Sequence, residues 1–252
     1  MSEDAIQKQR EYYAQTAKAY DEMHLSEPEH EVGLAQLSGY LGHYGMESLL
    51  DVGAGTGRVL RHLTAQHSGL KVCGIEPVKE LREVGHQKGV AKDQLIDGDA
   101  TRLDCEDNSW DVVCAFGILH HIADPNLAVA EMCRVARKAV FFSDSNNFGC
   151  GSFLQRAFSQ SLHRLNLWRP FQWAKNGGRY DKFSEGDGVH YSYSLFDSLK
   201  TIEKKFPQYF LANTRDSSPS IYRGCANLSV FAVKSPEALV ELNVNLQQEK
   251  ES

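Results

Sequence analysis

The chain contains no run of 18 apolar residues, so nothing in it reads as a membrane-spanning helix. Its start, Met1-Ser2-Glu3-Asp4-Ala5, has neither the basic opening nor the apolar stretch of a secretion signal, and the expected compartment is the cytoplasm. Internal repeats and low-complexity tracts are absent. Cysteine is scarce and scattered: six residues, at 73, 105, 114, 133, 150 and 225, with no C-x-x-C pair. That pattern argues against a disulfide framework and offers no metal-ligand rhythm, so no metal is expected. Cys73, Cys114 and Cys133 lie in apolar stretches, where a free thiol packs as a small hydrophobe. Positive charge is not in excess either. With 27 Lys and Arg against 33 Asp and Glu, a net charge of −6, the chain has no broad basic face for gripping nucleic acid.

What is present suits one large α/β domain or a core with an insertion: 252 residues, 42% hydrophobic and 24% charged. Residues 4–23 carry Ile6, Tyr13, Ala17 and Tyr20 on one helical face, and Leu34, Leu37, Leu41 and Tyr44 make a second helical stripe. Residues 1–45 are therefore expected to form an N-terminal helical cap. Alternation of strands and helices follows. Strands are predicted at Ser48–Val52, Leu70–Ile75, Gln94–Ile96, Trp110–Phe116 and Ala139–Phe142. Helices are predicted behind the glycines, over 78–88, and after Pro125. Strands joined by helical crossovers imply a parallel sheet covered on both faces. Residues 145–193 break the rhythm. It resumes at Ser194, which can cap a helix with Asp197 three residues on. Strands near 209–214 and 227–233, joined by the turn-rich Asp216-Ser217-Ser218-Pro219, close the sheet, and residues 236–252 form a polar tail.

The first strand runs straight into Asp51-Val52-Gly53-Ala54-Gly55-Thr56-Gly57. Glycines there permit a tight turn and a close approach of ligand to main chain, at the crevice where open α/β sheets bind ligands. The spacing is G-x-G-x-G, with Arg58 where a dinucleotide fingerprint would place its last glycine, which disfavours NAD or FAD. Glu76-Pro77 ends the second strand, where a carboxylate can accept from both ribose hydroxyls. Asp99-Ala100 follows the third, where a carboxylate can accept from an adenine amino group. Phe116 ends the fourth, ahead of His120 and His121. Any one of these is unremarkable as a solvated carboxylate or a packed aromatic. Together, at four successive strand tips, they favour an adenosyl ligand.

Residues 48–144 resemble the core of class I methyltransferases, through LLDVGAGTGRVLRHL, VCGIEP, GDATRL, WDVVCAFGILHHIADP and AEMCRVARKAVFFSD, and are most similar to the methyltransferase type 11 group of small-molecule enzymes. The resemblance implies a Rossmann-like, doubly wound, seven-stranded sheet with S-adenosyl-L-methionine as cofactor. It implies a core over 46–144 and 194–235, with residues 145–193 inserted as a substrate lid. Asp51, Gly53, Ala54 and Gly55 would line the methionine end, Glu76 and Pro77 the ribose, and Asp99 and Ala100 the adenine. Tyr13 and Tyr20, with Tyr12, resemble the N-terminal helix that closes over the cofactor in such enzymes. One departure is that Ala136-Arg137-Lys138 replaces the usual Pro-Gly-Gly turn before the fifth strand.

The sulfonium methyl is already activated, so positioning and water exclusion are the main tasks. A base is useful only for an acceptor that must lose a proton. His120, His121, His190 and Tyr191 are the candidates, and Asp144, Asn146 and Asn147 could orient a polar acceptor. The insertion holds ten of the chain's 25 aromatics and six Arg or Lys against three acids, a composition suited to walls around a planar acceptor. It would equally serve as a helical cap with its own small core, or bury itself against a second copy as a homodimer. The expected partner is a small, aromatic or quinone-like acceptor. An RNA methyltransferase is the alternative, resting only on the basic, aromatic insertion. Against it, Phe116-Gly117-Ile118-Leu119 stands where base amino-group enzymes carry a Pro-Pro-Tyr-type motif, and no Pro precedes a Cys. A non-catalytic cofactor-binding partner protein is a further alternative.

Overall fold

A computed structural model describes residues 3–23, 28–215 and 220–234; the expected turn at 216–219 and the tail at 236–252 lie outside them. The first helix, α1 (Glu3–Thr16), is followed by a turn and a single-turn α2 (Tyr20–Met23) rather than one continuous helix. The break has a local cause. The Thr16 hydroxyl bonds back to the Tyr12 carbonyl, Ala19 and Tyr20 donate to the carbonyls of Thr16 and Ala17, and Ala17 packs on Val78 and Leu81. Next come α3 (Pro28–His43), opened by a proline whose missing N–H costs nothing at that position, β1 (Ser48–Val52) and α4 (Arg58–Gln66). They lead to β2 (Lys71–Ile75), α5 (Lys79–Gln87), the short β3 (Leu95–Ile96) and β4 (Trp110–Phe116). A 3-10 turn (Leu119–His121) follows, then α6 (Pro125–Val135) and β5 (Ala136–Ser145).

The insertion contains α7 (Phe153–Arg164), α8 (Trp168–Lys175) and a hairpin of β6 (Asp181–Ser184) and β7 (Gly188–Tyr191). Ser194 and Asp197 form a reciprocal cap, but on a 3-10 turn (Leu195–Ser198) that leads into α9 (Leu199–Glu203). The chain ends with β8 (Gln208–Asn213), the one-turn α10 (Ile221–Gly224) and β9 (Asn227–Val233).

The main sheet has seven strands in the order β3-β2-β1-β4-β5-β9-β8. The first five are parallel; β9 pairs antiparallel with β5, and β8 with β9. Strand side chains alternate between the two faces, which separates neighbours into different cores. Val112, Cys114, Ala139 and Phe141 pack with Leu37 and Leu41 of α3 and Leu63 of α4. Val113, Ala115, Val140 and Phe142 pack with Ala128 and Met132 of α6 and with Ile202 and Phe206. Phe141 and Phe142 are both fully buried, each stabilising the fold by roughly 1.5–3 kcal/mol relative to exposure.

The unusual Ala136-Arg137-Lys138 junction has a physical role. β5 starts at Ala136 directly out of α6, and Arg137 and Lys138 both pair with Asp111, which is fully buried and also accepts from the Glu47 N–H. Burial alone would raise the Asp111 carboxyl. The Glu47 N–H and the two cations instead hold it below the usual carboxylate range.

Candidate functional site

Strand order reverses between β1 and β4, and the carboxyl ends of β1 to β5 meet along one edge. A cavity of about 550 Å³ opens at that edge. It brings together Tyr13, Tyr20, Gly53, Glu76, Pro77, Asp99, Ala100 and Phe116 with His120, His121, His190 and Tyr191. Asp51 and Ala54 lie beside it, in a small side pocket that shares Tyr20, Gly53 and Phe116. Gly55 sits under the Tyr20 ring and lines neither.

The glycine turn is shaped by backbone requirements. Gly53, Gly55 and Gly57 all have positive φ, at 74°, 55° and 72°. At Gly53 an added Cβ would also stand 2.5 Å from Ile118 Cγ2, so glycine is required there twice over. Glu76 is buried; one carboxylate oxygen accepts from Gly55 N and the other from Val78 N, each at 2.9 Å. Burial pushes its carboxyl up to about 7. Each oxygen keeps lone pairs for further donors, as a ribose diol would supply. Asp51 is buried with Oδ2 lacking any hydrogen-bond partner, and burial pushes it up to about 7 as well. A buried orphan acceptor next to the glycine turn suits an ammonium group such as that of a methionine moiety. Asp99 is exposed and bonds the N–H and hydroxyl of Thr101. These residues fit an adenosyl cofactor end to end.

Two elements close the cavity. The α1 face supplies Ile6, Gln9, Arg10 and Tyr13. α2 is tied down by Asp21, which accepts from the Thr56 hydroxyl and pairs with Arg61 and Lys88, so Tyr20 is held over the turn. From the insertion, only the β6–β7 hairpin reaches in, through Gly186, Asp187, His190 and Tyr191. Tyr12 does not line the cavity; its hydroxyl holds the hairpin through the Glu185 carbonyl.

At the far end His120 Nδ1 lies 2.7 Å from Asp144 Oδ1, and His121 Nδ1 lies 2.7 Å from the Val189 carbonyl. The Tyr13 hydroxyl is 3.0 Å from His121 Nε2. Burial would depress His120, but Asp144 and Asp187 push it up to about 10. Burial and the neighbouring His120 charge lower His121. Asp144 and Asp187 are both held below the usual carboxylate range, by His120 above all for the first and by both histidines for the second.

Two expectations are corrected. The insertion's aromatics do not wall the cavity: of the ten, Tyr191 alone lines it, and none of the six cations does. The aromatic walls come instead from Tyr13, Tyr20 and Phe116. Asn146 is fully buried and bonds the carbonyls of Ile221, Tyr222 and Cys225, while Asn147 bonds Ser192, so neither orients an acceptor. Tyr193 is also core, bonded to Ser198. Sequence reasoning missed Gln9, His30, Ser143 and Asp187 as lining residues. Asp187 carried one signal, its place in the Gly186-Asp187-Gly188 turn.

The mixed sheet, with this switch point, glycine turn and row of strand-tip carboxylates, has the Rossmann-like fold of class I methyltransferases. Residues 50–143 match the family model described as a methyltransferase domain. A demethylmenaquinone methyltransferase of Deinococcus radiodurans is 37% identical over 91 residues, 34% of this chain and 37% of that protein. The uncharacterised methyltransferase YcgJ of Bacillus subtilis is 31% identical over 121 residues, 46% of this chain and 47% of its own. The matched stretch thus spans less than half of these curated relatives. Among solved structures, a SAM-dependent methyltransferase of Thermotoga maritima superposes with a TM-score of 0.60 at 17% identity, covering 89% of this chain and 99% of its own. Magnesium protoporphyrin IX methyltransferase of Synechocystis, solved with bound SAH, superposes with a TM-score of 0.53 at 16% identity, covering 82% and 84%. These likenesses establish the fold. No helix among the described residues is long and apolar enough to cross a membrane.

Proposed function

We propose that the chain is a methyltransferase that moves the methyl group of S-adenosylmethionine to a small, planar, polar acceptor. The observation that carries the reading is the continuity of the cavity, which runs from Asp99 and Glu76 past Gly53 and Phe116 to His120, His121 and Asp144. One end is built for an adenosyl group and the other for a polar substrate.

The cofactor supplies an electrophilic methyl on a sulfonium centre. The chain's own residues bind, orient and seal. Glu76 accepts from the ribose hydroxyls, Asp51 faces the ammonium group, and the Gly53 turn lets the ligand approach the backbone. Tyr13 and Tyr20 cover the site and exclude water, which strengthens each of these polar contacts. Phe116 and Tyr191 offer flat faces to an acceptor, and the His120–His121 pole receives its polar group. Holding the two reactants in this way is the main source of acceleration.

The acceptor class is supported by relatives named for demethylmenaquinone and for norajmaline, the latter 32% identical over 97 residues. The cations of α7 and α8 lie away from the cavity, so the feature that favoured RNA does not bear on the reacting end. The test is release of S-adenosylhomocysteine from the full chain with a panel of hydroquinones, catechols and aryl amines, against a structured RNA. Turnover with a member of the panel is expected. Turnover with the RNA alone contradicts the acceptor class.

A further inference from the structure

We propose that His120, His121 and Asp187 form a binding site for one divalent transition-metal cation at the acceptor end of the cavity. The three residues come from two elements, the 3-10 turn after β4 and the β6–β7 hairpin turn. Each offers a ligand atom, and these atoms lie within 4.8 Å of one another.

Ring orientation is the first argument. His120 Nδ1 points at Asp144 and His121 Nδ1 at the Val189 carbonyl, both at 2.7 Å, with the Gln9 amide nitrogen a further 3.2 Å from His121 Nδ1. On each ring Nε2 is then the nitrogen turned toward Asp187. Metal-binding histidines are oriented by such outer carboxylate and carbonyl partners. Asp144 is itself fixed by the Leu119 and Ser145 N–H groups, at 2.8 and 2.7 Å.

The inward distances are the second argument. His120 Nε2 is 3.5 Å from Asp187 Oδ2, and His121 Nε2 is 3.4 Å from Asp187 Oδ1. A charge-assisted hydrogen bond would draw such atoms to about 2.7–2.9 Å. Metal bonds of about 2.1 Å at a tetrahedral angle place neighbouring ligand atoms ~3.4 Å apart. The outward contacts have hydrogen-bond lengths, and the inward ones have the span of two ligands around a cation.

Two imidazoles and one carboxylate suit Zn²⁺, Fe²⁺ or Co²⁺ rather than Mg²⁺ or Ca²⁺. Three protein ligands leave a coordination position open, as in catalytic rather than structural sites. Here that side faces the cavity, with the Tyr13 hydroxyl 3.0 Å from His121 Nε2 and His190 Nδ1 3.9 Å from Asp187 Oδ2. On the methyltransferase reading proposed above, the cation fixes an oxygen or nitrogen donor of the acceptor in place. The site departs from the sequence expectation of no metal, because its ligands have no metal-motif spacing and meet only in the fold.

The test is made on the full chain, stripped with chelator and without cofactor or acceptor, so that absent methyl transfer has no bearing on it. ZnCl₂ is titrated by calorimetry and CoCl₂ by visible absorption. One equivalent is expected to bind, with cobalt d–d bands and no thiolate charge-transfer band, which excludes the free cysteines as ligands. Asp187→Asn and His121→Ala are each expected to weaken binding by about 100-fold or more, exceeding the usual effect of outer-partner loss. His86→Ala, outside the cavity lining, serves as the control and binds like wild type. S-adenosylhomocysteine affinity in each variant reports folding. Absence of saturable one-to-one binding overturns the proposal, as does undiminished binding in Asp187→Asn.

Discussion

The sheet core and the insertion that follows β5 are built on different physical terms. In the core, strand neighbours alternate between two buried faces, and Asp111, a fully buried carboxylate away from the site, is fully paired. In the insertion, α7 and α8 leave Phe153 and Leu154 about three-quarters exposed, and Trp173 about half. Trp168 Nε1, Gln172 Oε1 and Asn176 Nδ2 are buried there without a hydrogen-bond partner. Well-satisfied interiors leave few such atoms. The hairpin beyond α8 is fastened to α1, by Tyr12 on Glu185 and by Gln9, which bonds the Val189 N–H and the Asp187 carbonyl, whereas α7 reaches the core through His163, 3.5 Å from Asp197 and edge-on to Phe148. Rigidity at the site thus comes from the core and the hairpin, and α7 and α8 contribute little to it.

That contrast can be broken or sharpened by substitution. The largest effect is expected at Asp111. Asp111→Ala removes the acceptor of the Glu47 N–H and the partner of Lys138 and of the half-exposed Arg137, and should destabilise the fold by about 3 kcal/mol in denaturant melts. Since the folded state holds this carboxyl below its ordinary value, its contribution is present above about pH 4 and fades as pH falls through the folded value. The stability gap between wild type and Asp111→Asn should therefore shrink on acidification.

Next is Glu76→Ala, which should weaken S-adenosylhomocysteine binding by about 100-fold, the loss of two charge-assisted hydrogen bonds at about 1.5 kcal/mol each. Burial places this carboxyl near 7, and its ionised form is the acceptor. Wild-type affinity should rise from pH 6 to pH 8, and less steeply in Glu76→Gln.

Gly53→Ala should cost about 1–3 kcal/mol, through positive φ and the clash with Ile118. Adding Ile118→Ala should relieve the clash and leave the backbone strain, which thermal melts of the single and double variants separate. The smallest effect is expected in the insertion. Phe153→Ser with Leu154→Ser should shift stability by no more than about 0.5 kcal/mol and leave ligand binding at the cavity unchanged. A large loss there would mean that α7 and α8 do support the site.

The same contrast explains what was legible in the sequence. Gly53, Glu76, Asp99 and Phe116 could be placed because each ends a strand or lies within three residues of its end, and parallel pairing brings successive strand ends to one edge. Composition misled in the insertion: aromatics and cations at helical spacing specify a helix face without saying which way it turns. Asp187 was missed because its partners lie 66 and 67 positions earlier, and only the β6–β7 hairpin folding onto α1 brings them together. The seating of α2 over the glycine turn likewise depends on Asp21 finding Thr56, Arg61 and Lys88.

The central claim is that the strand tips form an adenosyl-cofactor site, and calorimetric titration of the full chain with S-adenosylhomocysteine, with NADH as control, tests it most directly. The account predicts saturable one-to-one binding of S-adenosylhomocysteine, strongly reduced in Glu76→Ala, and none of NADH. Folded protein that binds neither ligand, or NADH in preference, would contradict it.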